Sequence, residues 1–360
     1  MTTQELMQVL EQHQGERHVV VLHDYPDPDA IACAFAHQLI SAELDIDVDV
    51  LHQGKVSHQQ NIALVRVMGI ELMEYEEGLD LSTYDGAIFI DNQGTTVPSI
   101  LEALRKAQIP VILVVDHHEP QDRLEPEFTD IQQVGATATI YAGYLEGGAV
   151  QMDTARKEHV LVGTALMHGI LSDTGGFIRA GAQDLQAAAF LARYRDAEIL
   201  EQIMTQGRSK RVMDVIERAL GDRIVAESYS IAGIGFLRAE DRDAIPQAAD
   251  FLLTEENVHT AVVYGVLQGE EHQERMVGSL RTAKFTLDPD NFIKEVFGKG
   301  VEGQYFGGGR DAAGGFSIPL GFLSGDYGED FQGLKWQVFD AQIKHKMFDK
   351  IGIDQSGLER

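Results

Sequence analysis

A chain of 360 residues exceeds the ~100–200 residues that one hydrophobic core usually serves, so two domains are expected. The net charge of −28 argues against long duplex nucleic acid as a partner and favours either a cation-binding carboxylate cluster or an acidic, solvated surface. The apolar runs are too short for a signal peptide or a membrane span, and the single cysteine, Cys33, excludes an intrachain disulfide, so a cytoplasmic protein without a membrane partner is expected.

The first half of the chain alternates short β-branched runs with segments of helical periodicity, which is typical of a parallel α/β sheet. The predicted strands occupy residues 17–23, 46–52, 70–75, 86–91 and 110–116. The predicted helices occupy residues 29–42, 58–68, 99–107, 136–146 and 155–173. This pattern predicts a parallel-sheet domain over residues 1–190. Charged helical material then predicts a connector over 191–221.

A strand-rich pattern begins at about residue 222 and predicts a second, smaller α/β domain over 222–360. Its predicted strands lie at 222–230, 231–238, 259–267 and 274–282, with a helix near 243–254 and a closing amphipathic helix at 336–351. Glycine is concentrated at 298–315. Such a segment predicts a loop at which backbone approaches a ligand closely.

Three predicted strands of the first half end in residues that can bind a metal or exchange a proton. VVVL is followed by His23, AIFI by Asp91, and VILVV by the triplet Asp116, His117 and His118. Ligands of open α/β sheets bind beyond the carboxyl ends of the strands. The three strand ends are therefore predicted to converge on one site.

Two further segments add carboxylates to the predicted site. The turn DYPDPDA after the first strand is stiffened by two prolines and presents Asp27 and Asp29 on one loop. A carboxylate pair held so rigidly is costly unless a cation neutralises it. Asp173 ends a strongly apolar helix, where a buried charge again requires a partner.

The predicted ligands are imidazoles and carboxylates without a thiolate, which favours Mn²⁺, with Mg²⁺, Co²⁺ or Fe²⁺ as alternatives. Two such ions about 3.5–4 Å apart, bridged by a shared carboxylate, suit a displacement at phosphorus. The number of candidate ligands is sufficient for two ions.

These motifs resemble those of the DHH phosphoesterases, and in particular the branch of nanoRNase-type oligoribonucleases and pAp phosphatases. The first motif is HDYPDPD at 23–29, the second is FIDNQG around Asp91, the third is DHH at 116–118, and the fourth is SDTGGF around Asp173. Downstream, SLR at 279–281 and the triple glycine at 307–309 resemble landmarks of the associated DHHA1 domain. The resemblance covers most of the chain.

The resemblance implies a two-metal centre in which Asp91 bridges the ions. The implied metal ligands are His23, Asp27 and Asp91 for one ion, and Asp29, Asp91, His117 and Asp173 for the other. It also implies catalytic roles for His118, which would face the substrate phosphate, and for Asp116, which would orient His117. A water or hydroxide between the ions would be the nucleophile.

The resemblance places substrate binding in the second half of the chain. The implied residues are Ser279, Arg281, Gly307, Gly308, Gly309 and Arg310. Arg310 is a departure, because nucleotide-cleaving members of the family usually have histidine after the three glycines. Arginine can clamp a phosphate through two hydrogen bonds, but it cannot donate a proton as an imidazole can.

The function expected from these features is hydrolysis of phosphoester bonds in small nucleotides, such as short oligoribonucleotides, pApA or pAp. The alternatives are a cyclic dinucleotide phosphodiesterase, a hydrolase of pyrophosphate or short polyphosphate, and a nucleotide-sensing protein without catalysis. Dimers are common in this family, so a homodimer is one candidate assembly by analogy. Nine other histidines are predicted to be surface or core residues: His13, His37, His52, His58, His159, His168, His259, His272 and His345.

Overall fold

The computed structural model describes residues 3–54, 56, 59–268, 274–301, 303–310, 312–325 and 329–353. It divides into two compact units, Met1–Gly207 and Arg208–Arg360, and each unit contains one six-stranded sheet. The boundary falls inside the segment predicted as a connector. Within the described residues, no helix combines the length and the apolar character that a membrane span requires.

The sheet of the first unit is entirely parallel. Its strands are β1 (Arg17–Val21), β2 (Asp47–His52), β3 (Met73–Glu74), β4 (Gly86–Ile90), β5 (Val111–Asp116) and β6 (Phe128–Ile131). They lie in the order β3-β2-β1-β4-β5-β6. The expected α/β class with a parallel sheet is thereby confirmed.

Helices cover both faces of this sheet, so its central strands β1, β4 and β5 are apolar over most of their length. They are α1 (Thr3–Leu10), α2 (Pro28–Ala42), α3 (Gln59–Met68), α4 (Pro98–Ala107), α5 (Thr137–Glu146), α6 (Lys157–Asp173), α7 (Ala182–Leu191) and α8 (Ala197–Met204). One core cluster joins a sheet face to α2, α5, α6 and α8, and the other joins the opposite face to α4.

The second unit has a mixed sheet in the order β11-β12-β10-β9-β8-β7, in which only the β8–β9 pair is parallel. Its strands are β7 (Ile224–Ala226), β8 (Tyr229–Arg238), β9 (Thr260–Gln268), β10 (Glu274–Thr282), β11 (Gly307–Arg310) and β12 (Ala313–Pro319). Its helices are α9 (Lys210–Asp222), α10 (Ala244–Leu252), α11 (Pro289–Phe297) and α12 (Glu329–Ile351). The first two cover one face and the last two the other.

The triple glycine at 307–309 lies in strand β11, so the prediction of a loop at this position is wrong. A Cβ on Gly307 would lie 2.2 Å from the carbonyl oxygen of Gly315, and one on Gly309 would lie 2.6 Å from that of Ala313. The same Cβ on Gly309 would lie 2.8 Å from Cβ of Pro289 in α11. Glycine is required here because β12 and α11 pack directly against the backbone of the strand.

Candidate metal centre

The strand order of the first unit reverses between β1 and β4, because the chain builds β2 and β3 on one side of β1 and β5 and β6 on the other side of β4. Open α/β sheets bind ligands in the crevice beyond the carboxyl ends of the strands at such a switch point. His23 follows β1, Asp91 directly follows β4, and Asp116 ends β5. The topology therefore brings these three strand ends to one crevice.

The first group of candidate ligands comprises His23, Asp27 and Asp91, whose donor atoms all lie within 4.8 Å of one another. His23 Nε2 is 3.6 Å from Asp91 Oδ2 and 3.7 Å from Asp27 Oδ1. The other ring nitrogen of His23, Nδ1, donates to the carbonyl oxygen of Asp24 at 2.8 Å. That hydrogen bond fixes the tautomer whose Nε2 lone pair faces the two carboxylates.

The second group comprises Asp29, His117 and Asp173, again with donor atoms within 4.8 Å of one another. His117 Nε2 lies 3.5 Å from Asp173 Oδ2 and 3.5 Å from Asp91 Oδ1. His117 Nδ1 donates to the carbonyl oxygen of Val134 at 3.1 Å, while the buried Nε2 makes no hydrogen bond within the part of the chain that is described. A buried imidazole nitrogen that faces carboxylates without a hydrogen bond fits a metal ligand.

Asp91 connects the two groups, since its Oδ2 faces His23 of the first group and its Oδ1 faces His117 of the second. Its backbone has a φ of 53°, in the left-handed region that aspartate adopts more readily than most residues. Asp91 adopts this conformation at the position immediately after strand β4. A strained residue between two groups of ligands is typical of a functional site.

Helix α2 begins within the first motif, and its start positions both aspartates of the DYPDPDA turn. Asp27 is the N-cap of α2, with Oδ1 accepting from the amide of Ala30 at 3.0 Å, and Pro28 occupies the first turn. Asp29 is fully buried. A capping carboxylate and a proline are preferred at these positions of a helix, so the motif specifies both the helix start and the ligand positions.

The start of helix α5 holds the buried Asp29 carboxylate. The amide of Thr137 donates to Asp29 Oδ2 at 2.6 Å, and the amide of Ala138 donates to Oδ1 at 2.8 Å. The Thr137 hydroxyl donates to Asp91 Oδ1 at 2.8 Å. Sequence reasoning missed this support. The available signal was the sequence ATAT, whose small residues begin a helix near the third motif. This was a signal because the N-terminus of a helix stabilises anions.

The burial of these carboxylates makes their charged forms unfavourable in the absence of a cation. Burial raises the pKa of Asp29 to about 7, with the neighbouring charge of Asp27 as the next cause, against the opposing amide hydrogen bonds. Burial also raises the pKa of Asp91 well above its usual range, with the charge of Asp29 as the next cause. Burial lowers the pKa of His117, which favours the neutral imidazole that binds metals. The donor set therefore fits divalent cations.

Asp116 holds His118, and the expectation that it orients the ring of His117 is wrong. Asp116 Oδ1 accepts from His118 Nδ1 at 2.8 Å and from the backbone amides of His117 and His118 at 2.7 and 3.1 Å. The carboxylate folds back over the two residues that follow it, as aspartate commonly does at the end of an element. The ring of His117 instead forms its hydrogen bond with the carbonyl oxygen of Val134.

Gln93 is a second supporting residue that the sequence did not reveal. Its Nε2 donates to Asp116 Oδ2 at 2.7 Å, and its Oε1 accepts from the amide of Gln121 at 2.7 Å. Gln93 is buried and lies two residues after Asp91 in FIDNQG. Its contacts connect the second motif with the loop that carries the DHH triplet.

The residues predicted to bind substrate lie on two strands of the second unit, β10 and β11. Arg281 Nε donates to Asp250 Oδ1 at 2.8 Å, and Arg281 Nη1 donates to Ser279 Oγ at 2.9 Å. Asp290 Oδ1 accepts from the amide of Gly309 at 3.1 Å, while Arg310 is exposed at the end of β11. The role of these residues in substrate binding stays a prediction.

The histidines predicted to be structural have several environments. His37, His52, His159 and His168 are buried, His259 and His345 are exposed, and His58 and His272 lie outside the described residues. His13 differs from these, because it forms a separate group of candidate ligands with Glu16 and His18.

Part of the first unit matches a known protein family. Residues 18–170, which lie in the first unit, match the family model described as "DHH family, N-terminal domain". This agrees with the resemblance seen in the motifs, while the narrower nanoRNase and pAp phosphatase branch stays a prediction. In fold, the chain is similar to an exopolyphosphatase-related protein from Bacteroides fragilis, with a TM-score of 0.67 at 16% identity over 96% of both chains.

Two curated relatives are similar in sequence. An uncharacterized protein of Methanocaldococcus jannaschii is 32% identical over 345 residues, which cover 94% of this chain and 64% of the relative. A protein of Bacillus cereus (strain 03BB102), named as a probable manganese-dependent inorganic pyrophosphatase, is 29% identical over 191 residues, which cover 51% of this chain and 57% of the relative. The chain thus spans less than two thirds of the length of either relative.

Proposed function

We propose that the chain is a metal-dependent hydrolase of phosphorus–oxygen bonds. The observation that carries this proposal is the position of Asp91, whose two carboxylate oxygens face two different histidines, His23 and His117. A carboxylate shared in this way is what a pair of cations about 3.5–4 Å apart requires. The DHH-family match over residues 18–170 supports the same class of chemistry.

Two divalent cations are assigned to the two groups of ligands. His23, Asp27 and Asp91 would hold one ion, and Asp29, Asp91, His117 and Asp173 would hold the other. Imidazole and carboxylate donors suit Mn²⁺, with Mg²⁺, Co²⁺ and Fe²⁺ as alternatives. The name of the Bacillus cereus relative specifies manganese, which supports Mn²⁺ here.

When bound, such a metal pair neutralises charge on the phosphate and makes water a better nucleophile. His118 would act on the substrate itself. Its Nδ1 is held by Asp116 at 2.8 Å, so Nε2 is the nitrogen left for a substrate oxygen, where it can place a proton on the leaving group. Gln93 fixes the opposite oxygen of Asp116 and thereby the orientation of the ring.

The first candidate substrates are small nucleotides: short oligoribonucleotides, pApA and pAp. The motif resemblance supports this class, and so does the net charge of −28, because a protein that binds a long nucleic acid needs an extended basic surface. The salt bridge between Arg281 and Asp250 leaves Arg310 as the exposed cation among the predicted substrate-binding residues.

Inorganic pyrophosphate is the second candidate substrate. The name of the Bacillus cereus relative supports it, and the similarity covers 51% of this chain. An arginine at position 310 is also compatible with a phosphoanhydride, because a guanidinium can bind two phosphate oxygens at once.

The test is a substrate panel that contains pApA, pAp, cyclic di-AMP, pyrophosphate and short polyphosphate, each incubated with Mn²⁺ or with EDTA. Asp91→Asn is expected to lower turnover by more than about 1,000-fold, because several kcal/mol of charge stabilisation would be lost. Asp122→Asn, a change at an exposed aspartate of the same unit, is the matched control and should retain full activity.

The panel distinguishes the candidates from one another. Metal-dependent release of AMP from pApA supports the nucleotide substrates, whereas turnover of pyrophosphate alone moves the assignment to the second candidate. Tight nucleotide binding without turnover of any substrate would contradict the proposed catalysis and identify a nucleotide-sensing protein.

A further inference from the structure

We propose that His13, Glu16 and His18 form a second metal site of the zinc type, separate from the centre around Asp91. We call this group the amino-edge site, because it lies where strand β1 begins, whereas His23 follows the end of the same strand. The five residues of β1 at about 3.3 Å each put the two sites roughly 16 Å apart. The two sites therefore share no ligand.

The donor atoms of the amino-edge site already point at one another. His13 Nδ1 lies 2.8 Å from Glu16 Oε2, and His18 Nε2 lies 3.0 Å from the same oxygen. All three donor atoms fall within 4.8 Å of one another. Two imidazole nitrogens and one carboxylate oxygen form a set that binds Zn²⁺ with a fourth position open to water.

The spacing needs only a small adjustment to accept the ion. Ligands at about 2.0–2.2 Å from a tetrahedral zinc lie roughly 3.3–3.5 Å apart. The contacts of 2.8 and 3.0 Å would therefore open by a few tenths of an ångström. Glu16 can supply this movement, since its side chain is one third exposed at 34%.

A carboxylate behind His13 is a second, independent observation. His13 Nε2 lies 3.2 Å from Glu127 Oε2, on the side of the ring opposite Glu16. Metal-binding histidines commonly donate their second N–H to a carboxylate, which fixes the tautomer that presents a lone pair to the metal. Glu127 is positioned to accept that hydrogen bond while His13 Nδ1 faces the site.

The burial of the His18 side chain also supports a metal site. Its side chain is fully buried at the start of β1, and its Nε2 is directed at Glu16. An immobile histidine that directs one nitrogen at a partly exposed carboxylate is preorganised to bind a cation.

A metal at this position would join three segments of the first unit. His13 ends the short helical turn Glu11–His13 that follows α1, His18 lies in β1, and Glu127 directly precedes β6. Helix α1 contributes Leu6 and Leu10 to the core. Zinc would thus fasten the N-terminal helix to the sheet, and its expected effect is on stability.

The experiment counts zinc on the full-length protein. Wild type, His13→Gln and Glu16→Gln are equilibrated with Zn²⁺, freed of loose metal and analysed by mass spectrometry, with zinc affinity measured by calorimetry. His345→Gln, an exposed histidine of α12, is the matched control. The expected result is one zinc fewer per chain in both site variants and an unchanged count in the control.

Two further readouts make the outcome decisive. Each site variant should keep its Mn²⁺ binding, which shows that it has folded and that the Asp91 centre is intact, but lose the zinc-dependent rise in melting temperature. A zinc-soaked wild-type crystal should show an anomalous peak between His13 and His18. Equal zinc counts in wild type and variants, or no such peak, would overturn the proposal.

Discussion

Thr137 donates its hydroxyl to Oδ1 of Asp91 at 2.8 Å, and its backbone amide donates to Asp29 Oδ2 at 2.6 Å. One residue at the start of α5 therefore fixes two buried carboxylates that the resemblance places in different roles, one as the bridge and one as a ligand of a single ion. Its backbone contact survives any substitution other than proline, whereas its hydroxyl contact can be removed selectively.

Thr137→Val should weaken Mn²⁺ binding by about 10–100-fold, the usual loss when a hydrogen bond to a metal ligand is removed. The valine keeps the shape and the amide of the residue but lacks the donor to Asp91. Calorimetric titration with Mn²⁺ is the measurement. Thr164→Val is the control, since the hydroxyl of this threonine donates to the carbonyl oxygen of Val160 in α6. Equal affinities in the two variants would contradict the supporting role.

Asp91→Asn should have opposite effects on stability without and with metal. In EDTA, the free energy of unfolding should rise by about 1–2 kcal/mol, because burial and the charge of Asp29 raise the pKa of Asp91 and so make its ionised form costly in the folded state. Asparagine tolerates the φ of 53° and can still accept from Thr137. With Mn²⁺, the variant should lose the stabilisation that wild type gains.

Urea denaturation at pH 8, with EDTA and with Mn²⁺, measures both effects of Asp91→Asn. Asp122→Asn should leave both values within about 0.5 kcal/mol of wild type, as expected for an exposed position. If Asp91→Asn were less stable than wild type in EDTA, the contacts of the ionised Asp91 would outweigh the repulsion among the carboxylates, which is the opposite of what we expect.

His37 should make the protein sensitive to acid. Burial, with a smaller effect of His18, lowers its pKa from 6.5 to about 3, and a hydrogen bond joins its Nδ1 to the hydroxyl of Tyr141. As the pH falls, His37 is therefore protonated in the unfolded chain before it is protonated in the folded one. The free energy of unfolding decreases as the pH drops from about 6.5 towards 3. Between pH 7 and pH 5, the free energy of unfolding of wild type should decrease by about 2 kcal/mol more than that of His37→Leu.

Urea denaturation in EDTA at the two pH values tests this prediction, and the other titrating groups cancel in the difference between the proteins. His345→Leu, at an exposed position, is the matched control for the replacement of a histidine by leucine. A His37→Leu variant with the full loss of stability at pH 5 would show that His37 is not the group responsible.

Gly309→Ala should destabilise the second unit by about 1–3 kcal/mol, because the new Cβ would collide with a tightly packed surface. It would lie 2.6 Å from the carbonyl oxygen of Ala313 and 2.8 Å from Cβ of Pro289. Gly333→Ala is the matched control in the same unit, since nothing lies within 4 Å of its added Cβ and alanine favours the helix. Thermal unfolding of both variants is the measurement. A neutral Gly309→Ala would fit a loop better than strand β11.

The parallel sheet could be predicted because buried parallel strands carry continuous apolar runs, as in VVVL before His23 and VILVV before Asp116. Strand β6 was missed because FTDI is only four residues long and places a polar residue, Asp130, in a buried position. Helix α11 was missed because it has only nine residues, although Asp288 followed by a proline gives it a capping signal.

The site could be predicted to the extent that it depends on strand ends, which a sequence shows directly. The partner of Asp116 could not, because His117 and His118 are neighbours and only the backbone conformation decides which ring meets the carboxylate. The amides that hold Asp29 were also hidden, since a backbone donor has no residue type of its own. Contacts of this kind depend on geometry that neither residue type nor spacing encodes.

The candidate ligands extend from His23 to Asp173, and they meet only where β1, β4 and β5 are in register and α6 lies against α2. A nascent chain that has not yet emerged beyond Asp173 lacks part of the centre, however well its first strands have paired. Metal acquisition must then follow the assembly of nearly the whole first unit. Occupancy by the proposed pair of ions would therefore report that the first unit has folded, since a copy truncated before Asp173 lacks one candidate ligand of the second group.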